Sequence, residues 1–341
     1  MKKGILAGRD GGALLKWYDT HGRALPWRET REPYPVWVSE AMLQQTQVAT
    51  VLPYYARWIN RFPTVETLAQ AELEEALALW QGLGYYRRGR MLHAGARVIV
   101  ERGWPTSSAE WRQIPGVGRY TAAAIASICL GEPIAVVDGN VERVHARLSG
   151  SESSGAALHR EAWTWAQEQL YAKRPGDWNQ AMMELGARVC TPKNPGCREC
   201  PVAYLCIARL THRETELPAP KARRATVDEV HWVWIPYFAG RFGMRRITDS
   251  RWWEGLWEFP RAVAPANEAD LRALVGGGWV ESIGSLRHTV THHRIHVRAS
   301  ILRCEAAVTE LTWLSREELA AIAMPAPQRK LLERALSVLG M

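Results

Sequence analysis

The order of apolar and polar residues divides the chain into two parts. Over residues 13–208, apolar side chains recur at intervals of three and four positions, and short breaks rich in glycine and proline interrupt them, as at residues 81–84 and 102–105. This spacing puts the apolar residues on one face of a helix, and almost nothing in the region alternates as strands do. The pattern predicts a mostly helical N-terminal half.

The rest of the chain has the pattern of a mixed domain. Residues 211–224 are polar, carry two prolines and are typical of a connector. The predicted strands, rich in β-branched and aromatic residues, are 230–238, 256–259 and 289–302, and the predicted helices are 315–322 and 328–339. A smaller α+β C-terminal domain is therefore expected to follow the helical half.

Composition indicates the kind of partner. The chain has 341 residues, enough for about two domains, and a formal net charge of +8, which suits a polyanion. Most of its 17 tryptophans are expected in the core rather than stacked on bases. No apolar run approaches the roughly 20 residues that span a bilayer, and the first residues lack the apolar stretch of a signal peptide. We therefore expect a soluble, cytoplasmic protein that has no membrane partner.

A short glycine motif predicts a DNA-binding turn. Residues 115–118, Pro-Gly-Val-Gly, stand between two helical segments, and Gly116 and Gly118 permit a tight turn. The amides that open the second helix can hold a phosphate against the helix dipole, as in a helix-hairpin-helix, and such a contact positions DNA without reading its sequence. The competing interpretation is an ordinary turn between helices, and the glycines alone do not decide between the two.

An aspartate downstream favours the DNA-binding interpretation. Asp138 lies in a Gly/Asn turn directly before a helical run, where an acidic residue is commonly only a cap. Caps do not usually follow a hairpin of this kind at this spacing. We therefore interpret the region as a DNA-backbone clamp beside a catalytic carboxylate.

Four of the six cysteines form a candidate metal site. They are spaced Cys-x6-Cys-x2-Cys-x5-Cys, and a reducing cytoplasm keeps such thiols from forming disulfides. Four thiolates suit tetrahedral zinc or a 4Fe-4S cluster, and the chemistry of the ligands alone does not choose between them. The four residues are Cys190, Cys197, Cys200 and Cys206.

The hairpin, Asp138 and the cysteines together make the first 210 residues similar to the iron-sulfur branch of the helix-hairpin-helix DNA glycosylases, the endonuclease III superfamily. Within it, residues 25–28 (Leu-Pro-Trp-Arg), 36–48 and 82–86 resemble the MutY family of A/G-specific adenine DNA glycosylases. The resemblance spans both parts of the chain. It implies a 4Fe-4S cluster as the cofactor and a monomer that binds double-stranded DNA containing A:8-oxoguanine or A:G mispairs.

The resemblance also implies a discontinuous domain layout. The implied domains are an iron-sulfur cluster domain of residues 1–29 and 136–210, a six-helix barrel with the hairpin at 30–135, a connector at 211–227, and a Nudix-like domain that recognises 8-oxoguanine at 228–341.

Tyr120 distinguishes two reaction types within this superfamily. Endonuclease III has a lysine at the matching position, directly after the arginine of the hairpin, and that lysine forms a Schiff base that also permits strand cleavage. A phenol cannot form an imine. The sequence therefore predicts base removal alone.

Two carboxylates are the predicted catalytic groups, because hydrolysis of an N-glycosidic bond resembles glycoside hydrolysis. Glu40 lies among apolar residues that are expected to raise its pKa, so that it keeps the proton needed to activate adenine through N7. Asp138, at a helix start, is expected to stay ionised and stabilise the sugar cation. The resemblance gives Tyr120 and Asn140 a supporting role.

Further positions match DNA contacts of the family. Removal of a base from the stack leaves a gap, and Gln45 and Tyr85 match the intercalating positions. The positions that match the adenine pocket are Arg23, Trp27, Arg28, Gln180 and Met183.

The C-terminal domain is predicted to read the opposing base. Residues 253–260 are similar to a Nudix-like domain, but a Nudix hydrolase needs a glutamate-rich helix for magnesium, and residues 266–278 offer only Glu268 and Asp270. The recognition loop of the family usually ends in Phe-Ser-His, where this chain has Val290, Thr291 and His292. Threonine keeps the hydroxyl, whereas valine loses the aromatic ring.

Histidines in this loop region are not expected to bind metal. On a strand, His292 and His296 would lie on one face about 13 Å apart at ~3.3 Å per residue, too far for one ion. These two residues and His293 are therefore expected to face solvent or DNA.

Three other functions each fit part of the sequence. A bifunctional glycosylase and lyase that acts on damaged pyrimidines conflicts with Tyr120, which cannot form a Schiff base. A non-catalytic lesion-binding protein conflicts with the presence of both Glu40 and Asp138. A nucleotide pyrophosphohydrolase conflicts with the missing acidic helix.

Overall fold

The structure, a computed structural model, describes residue 6 and residues 12–220, 225–248, 252–263 and 279–341. The chain forms two compact units. The first comprises Met1–Ala69 and Ala94–Ala222, and the second comprises Gln70–His93 and Arg223–Met341. No helix in the described part of the chain is long and apolar enough to cross a membrane.

The helical N-terminal half is confirmed, and residues 12–220 contain no strand. Two short 3-10 helices, Pro26–Arg28 and Ala203–Leu205, accompany the α-helices. The α-helices are α1 (Gly12–His21), α2 (Pro33–Leu43), α3 (Val48–Arg61), α4 (Val65–Gln70), α5 (Leu73–Trp80), α6 (Arg87–Arg102), α7 (Ser108–Trp111), α8 (Arg119–Cys129), α9 (Gly139–Ser149), α10 (Gly155–Gln169), α11 (Pro175–Arg188) and α12 (Ile207–Leu210).

Helix α8 lies at the centre of the first unit. Every residue from Thr121 to Ile128 is buried, so the helix is enclosed on all sides rather than amphipathic. It packs against α2, α7 and α11. This burial fixes the position of the residues at its N-terminus, which include Tyr120.

The predicted helix-hairpin-helix is confirmed as α7, a tight turn and α8. Gly116 has a φ of +77°, a conformation that glycine adopts without a steric penalty. Gly118 caps α8 without a side chain, and a Cβ atom placed there would meet no atom within 4 Å. The N-terminus of α8 therefore has no side-chain cap, and the space beside Gly118 is open.

Helix α9 positions the second catalytic candidate. It begins at Asp138, whose side chain caps it, and ends at Gly150, which has a left-handed φ of +69°. Val141, Val144 and Leu148, spaced three and four apart, are buried in the core of the first unit. Burial of one such aliphatic side chain contributes about 1.5–3 kcal/mol, which holds the helix and its cap in place.

The second unit contains a mixed seven-stranded sheet, and the predicted α+β class is confirmed. Along the sheet the order is β3-β2-β1-β6-β5, with β4 paired to β1 and β7 paired to β2; β1 and β6 are parallel. The strands are β1 (Val227–Phe238), β2 (Arg241–Arg246), β3 (Trp257–Glu258), β4 (Arg261–Val263), β5 (Trp279–Val290), β6 (His293–Arg303) and β7 (Thr312–Leu314).

The prediction of one strand over residues 289–302 is wrong. β5 and β6 form an antiparallel hairpin, in which Val290 pairs with His293 across the two-residue turn of Thr291 and His292. Thr291 makes the turn with a φ of +55°. β-Branched residues rarely adopt this conformation, so the sequence offers no turn signal at this point. Strand β2 was also not predicted.

Two helices cover the sheet of the second unit. They are α13 (Arg316–Ala321), which starts with a capping box between Ser315 and Glu318, and α14 (Ala326–Leu339). Their apolar residues join a core that includes Phe242, Phe259 and Ile301. The predicted acid-poor region at 266–278, with Glu268 and Asp270, lies outside the described residues.

Candidate active site

Glu40 lies on α2 and is buried, with 6% of its surface exposed. Burial raises the pKa of its carboxyl to about 7; a hydrogen bond with Tyr120 and the charge of Arg28 oppose this rise, and the charge of Asp138 adds to it. Its Oε2 atom has no hydrogen-bond partner among the described residues. Glu40 can therefore hold a proton near neutral pH and offer it to another molecule.

Asp138 is held as a hydrogen-bonded carboxylate at the start of α9. Its Oδ1 accepts hydrogen bonds from the backbone amides of Asn140 (2.9 Å) and Val141 (2.8 Å), and its Oδ2 accepts one from Asn140 Nδ2 (2.7 Å). Burial raises the pKa of Asp138 above its ordinary value, although these three hydrogen bonds and the charge of Arg143 oppose the rise. Both oxygens of Asp138 accept hydrogen bonds, whereas Oε2 of Glu40 accepts none from the described residues.

Tyr120 links Glu40 on α2 to Met183 on α11. Its hydroxyl donates to Met183 Sδ at 3.3 Å and is also hydrogen-bonded to Glu40. Burial, followed by the charges of Glu40 and Asp138, raises the pKa of the phenol well above its ordinary value. The structure thus brings Glu40 and Met183 into contact with a phenol that stays neutral and on which the charge of Asp138 also acts.

Arg143 orients Asn140 and was not predicted from the sequence. Its Nη2 donates to Asn140 Oδ1 and to the Gly186 carbonyl oxygen, each at 2.8 Å, and its Nε donates to the Cys190 carbonyl oxygen at 2.8 Å. The sequence signal that could have identified Arg143 is its spacing of three residues from Asn140, which places both side chains on one face of a helix. Asn140, which supports Asp138, is thereby fixed from two directions.

Gly186 allows α9 and α11 to approach each other at the site. A Cβ atom at this position would lie 2.6 Å from Asn140 Cβ and 3.1 Å from its backbone. No side chain fits there without displacement of Asn140. The close packing of two helices therefore positions the hydrogen-bond donor to Asp138.

The five predicted pocket residues all lie in the first unit. Arg23, Arg28 and Gln180 line one polar cleft of about 380 Å³. Trp27 is buried, with its ring edge-on to Tyr55 at 5.0 Å between ring centroids. Met183 contacts Tyr120 instead.

Glu184 was missed by sequence reasoning, although it binds two of these pocket residues. Its carboxylate is completely buried and accepts hydrogen bonds from Arg23 and Arg28. These partners lie 161 and 156 residues away along the chain, so no local pattern points to the pairing.

The two predicted intercalating residues share an unusual backbone. Gln45, in the first unit, is exposed and has a φ of +57°. Tyr85, in the second unit, is 51% exposed and has a φ of +47°. A non-glycine residue in this region costs on the order of 1–3 kcal/mol, and such strain concentrates at functional sites. Each side chain is thus held out to solvent by a strained backbone.

The four predicted ligand cysteines line one cavity, together with apolar residues such as Val144 and Leu185. Burial raises the pKa of Cys200 to about 11, and it also raises the pKa values of Cys197 and Cys206. As they stand, the described residues contain no group of three or more His, Cys, Asp or Glu side chains arranged to hold a metal ion.

Arg147 supplies the charge that a set of thiolates requires. This buried residue donates from Nη1 to Cys190 Sγ at 3.3 Å and to the Thr191 carbonyl oxygen at 2.7 Å. Its Nε donates to the Leu217 carbonyl oxygen at 2.9 Å. Four thiols around an apolar cavity, with a buried guanidinium beside one of them, fit an anionic thiolate-ligated metal group.

The predicted recognition residues form the turn between β5 and β6. Thr291 is exposed, and its Oγ1 donates to the Val290 carbonyl oxygen at 2.7 Å. The turn is anchored because the Val227 amide donates to the His292 carbonyl oxygen at 3.0 Å. Val290 is half-buried against the core of the second unit.

The expectation that His293 faces solvent or DNA is wrong. His293 is buried, and its Nδ1 lies 2.7 Å from Glu229 Oε1. The two-residue period of β6 turns His293, Ile295 and Val297 to the inner face of the sheet. The histidine is thus paired with a carboxylate rather than free to contact DNA.

Comparison with known families gives two matched regions, one after the other along the chain. Residues 38–168 match the HhH-GPD superfamily of base excision DNA repair proteins, and residues 231–334 match the NUDIX domain family. Among solved structures, that of a thermostable thymine-DNA glycosylase is 27% identical with a TM-score of 0.54, covering 58% of this chain and 94% of the other.

Relatives that are named adenine DNA glycosylases are similar over most of the chain. The adenine DNA glycosylase of Homo sapiens is 51% identical over 231 residues, covering 64% of this chain and 42% of the human protein. That of Mus musculus is 36% identical over 390 aligned positions, covering 93% of this chain and 76% of the mouse protein. The chain thus spans about two fifths of the length of the human and rat proteins.

Proposed function

The chain belongs to the adenine DNA glycosylase family, and on this premise we propose that it is a monofunctional DNA glycosylase of base excision repair. Its substrate is adenine mispaired with 8-oxoguanine or guanine in double-stranded DNA. One observation carries the proposal. A buried Glu40, with a pKa of about 7, shares a site with the hydrogen-bonded carboxylate of Asp138.

Glu40 is the proposed general acid. The bond between adenine and deoxyribose breaks through an oxocarbenium-like transition state, which requires a proton for the leaving base. Glu40 transfers its proton to N7 of adenine, and the electron pair of the C1′–N9 bond leaves with the base. The pKa of about 7 matches this task, because an acid is most efficient when its pKa lies near the working pH.

Asp138 is the proposed stabiliser of the sugar cation. Three hydrogen bonds fix the orientation of its carboxylate before any substrate arrives, so no reorganisation is needed when positive charge develops at C1′. Water then attacks C1′ and gives up a proton to the Glu40 carboxylate, which leaves an abasic site and restores the acid. Asn140 supports the carboxylate, and Arg143 in turn supports Asn140.

Tyr120 supports the proposal that the enzyme is monofunctional. It stands at the N-terminus of α8, and its hydroxyl contacts Glu40 and Met183. A neutral phenol orients Glu40 by hydrogen bonding and cannot form a Schiff base with the abasic sugar. The product is therefore an abasic site without strand cleavage.

DNA contacts are proposed for residues in both units. The amides after Gly118 hold a phosphate, as they do at other helix N-termini. Gln45 and Tyr85 fill the space that the extruded adenine leaves, and the adenine pocket includes Arg23, Arg28, Trp27, Gln180 and Met183. Thr291 and His292 contact the opposing base.

A 4Fe-4S cluster is the proposed cofactor. The four cysteines would hold it, and Arg147 would donate a hydrogen bond to the thiolate of Cys190. When bound, the cluster supplies iron-thiolate bonds that tie the loop of residues 190–206 into one structure. Iron and acid-labile sulfide analysis of the purified protein tests this assignment, and zinc without iron would contradict it.

The decisive experiment measures base release by Glu40→Gln. In single-turnover assays, duplexes identical except for the base opposite adenine are incubated with wild-type protein and with the variant. We expect the variant to bind the A:8-oxoguanine duplex like wild type and to release adenine at least 1,000-fold more slowly, because glutamine cannot donate the proton. The control is Glu168→Gln, an exposed glutamate on α10.

Two results would contradict the proposal. Release of adenine by Glu40→Gln at the wild-type rate would remove Glu40 as the acid. An efficient borohydride-trapped adduct between wild-type protein and abasic DNA would show lyase chemistry and contradict the monofunctional assignment.

A further inference from the structure

Glu184 is a buried carboxylate that the reaction described above does not use. It lies on α11, and its side chain is 0% exposed. Burial alone would raise its pKa, but hydrogen bonds and charges from Arg23 and Arg28 outweigh burial and hold the pKa at about 2. The carboxyl is therefore ionised at every pH at which the folded protein is expected to work.

Both oxygens of Glu184 are fully engaged by the two arginines. Oε1 accepts from the backbone amide of Arg23 at 3.2 Å and from its Nε at 2.7 Å. Oε2 accepts from Arg23 Nη2 at 2.8 Å and from Arg28 Nη2 at 3.0 Å. One carboxylate thus fixes two guanidinium groups that line the polar cleft.

Arg28 is further constrained by its other contacts. Its Nη1 donates to the Arg23 carbonyl oxygen at 3.1 Å, and its guanidinium lies over the ring of Tyr18 at 5.5 Å from the centroid. A third cation, Arg188, approaches Glu184 at 3.8 Å from one turn further along α11. Glu184 is thus the negative group within a cluster of three arginines.

The charge of Arg28 also acts on Glu40. The groups that interact with Glu40 are Tyr120 on α8, Asp138 at the start of α9, Arg28 in the 3-10 helix and Cys129 at the end of α8. On α3, which also packs against α2, Tyr55 is buried, and Arg57 and Arg61 are exposed. Loss of the negative charge beside Arg28 would expose Glu40 to a stronger positive field.

We propose that Glu184 is a positioning residue for base removal, which fixes Arg23 and Arg28 in the adenine pocket and cancels their charge so that Glu40 keeps its proton. This inference rests on the proposed function, because it assumes that Glu40 acts as the acid. Glu184 touches neither the base nor the sugar. It acts through the two arginines on substrate binding and through their charge on the acid.

The test is the pH profile of adenine release by Glu184→Gln. Single-turnover rates are measured from pH 5.5 to 9 on an A:8-oxoguanine duplex. Glutamine keeps the shape of the side chain but removes the charge. We therefore expect the alkaline limb of the profile, where the rate falls as Glu40 loses its proton, to move to lower pH by about one unit. At pH 8 the rate should then fall about tenfold more than it does at pH 5.5.

Two second variants separate charge from shape. Glu184→Asp retains the charge and should return the alkaline limb of the pH profile to its wild-type position. Because its side chain is shorter, a higher duplex concentration should be needed to reach the maximal rate. The double variant Glu184→Gln with Arg28→Gln removes the uncancelled guanidinium and should return the limb to the wild-type pH or above. The matched control is Glu168→Gln, since Glu168 is an exposed glutamate of the same unit on α10 and is not among the residues that line the cleft.

Each outcome decides the inference. A uniform loss of rate at all pH values in Glu184→Gln would show a purely structural role and overturn it. If Glu184→Gln fails to fold, Arg28→Gln alone provides the test, because it should move the limb to higher pH, and an unmoved limb would overturn the inference. Absence of adenine release by wild-type protein would instead overturn the proposed function.

Discussion

The first and second units hold their candidate functional residues in opposite ways. Glu40, in the first unit, is buried among packed helices, and the half-buried Asp138 is fixed by three hydrogen bonds. Thr291, in the second unit, is exposed on a two-residue turn. Proton transfer and charge stabilisation require preorganised, desolvated groups, whereas inspection of a base requires a surface that the base can reach. The comparison explains why residues fixed by packed helices carry the proposed chemistry and an exposed turn carries the proposed reading.

The largest difference between the two units is expected when the cap of α9 loses its charge. Asp138→Asn keeps a good capping residue, so we expect the free energy of unfolding to change by less than about 1 kcal/mol. We expect adenine release to fall at least 100-fold, because the sugar cation loses its counter-charge. Single-turnover assays and urea unfolding measure the two effects.

The control for this prediction is a cap in the second unit. Ser315→Ala removes the cap of α13 and should cost about 1 kcal/mol of stability without a change in adenine release. Equal losses of activity in the two cap variants would show that Asp138 acts only through folding.

Burial of Glu40 should lower stability at alkaline pH. The folded-state pKa is about 7 and the ordinary value is 4.5, so the folded protein binds the proton more tightly between these values. Stability is therefore lost as pH rises from about 4.5 and the loss is complete above about 7. Glu40→Gln has no proton to lose and should be more stable than wild type by roughly 3 kcal/mol at pH 8, with no pH-linked advantage at pH 4.

Urea unfolding of wild type and Glu40→Gln at the two pH values measures this difference. Glu168→Gln, which changes an exposed glutamate of the same unit, is the matched control. A constant difference between wild type and Glu40→Gln at both pH values would mean that Glu40 does not hold a raised pKa.

The exposed turn should give the smallest effect. Thr291→Ala removes an exposed hydroxyl that we propose contacts the opposing base, so the preference for 8-oxoguanine over guanine opposite adenine should fall about fivefold, the value of one hydrogen bond. Thr291→Ser should keep the preference. Thr289→Ala, at an exposed position on β5, is the matched control. An unchanged rate ratio in Thr291→Ala would contradict a reading role for the hydroxyl.

Sequence patterns predicted the local features of this molecule. The helical half, the hairpin turn and the α+β C-terminal part follow from periodicities and glycines within about 20 residues of each other. The motif around Glu40 predicted an apolar setting, and the residue is buried. The four cysteines, which span 17 residues, line one cavity.

Long-range contacts left no such signal. Glu184 meets Arg23 across 161 residues, and Arg147 meets the Leu217 carbonyl oxygen across 70. The burial of His293 depended on where β6 begins, and the turn at Thr291 lacks the glycine or asparagine that usually marks one. Each of these features depends on tertiary packing, which periodicity within a segment does not encode.

The left-handed backbone at Gln45, Tyr85 and Thr291 has a consequence for sequence drift. Glycine adopts this conformation without a steric penalty, so replacement by glycine would relieve strain at each position. The same replacement would delete the side chain proposed to contact DNA. At these three positions, mutations toward a more stable fold and mutations toward a less capable enzyme are therefore the same mutations, and only selection for activity can keep the strained residue in place.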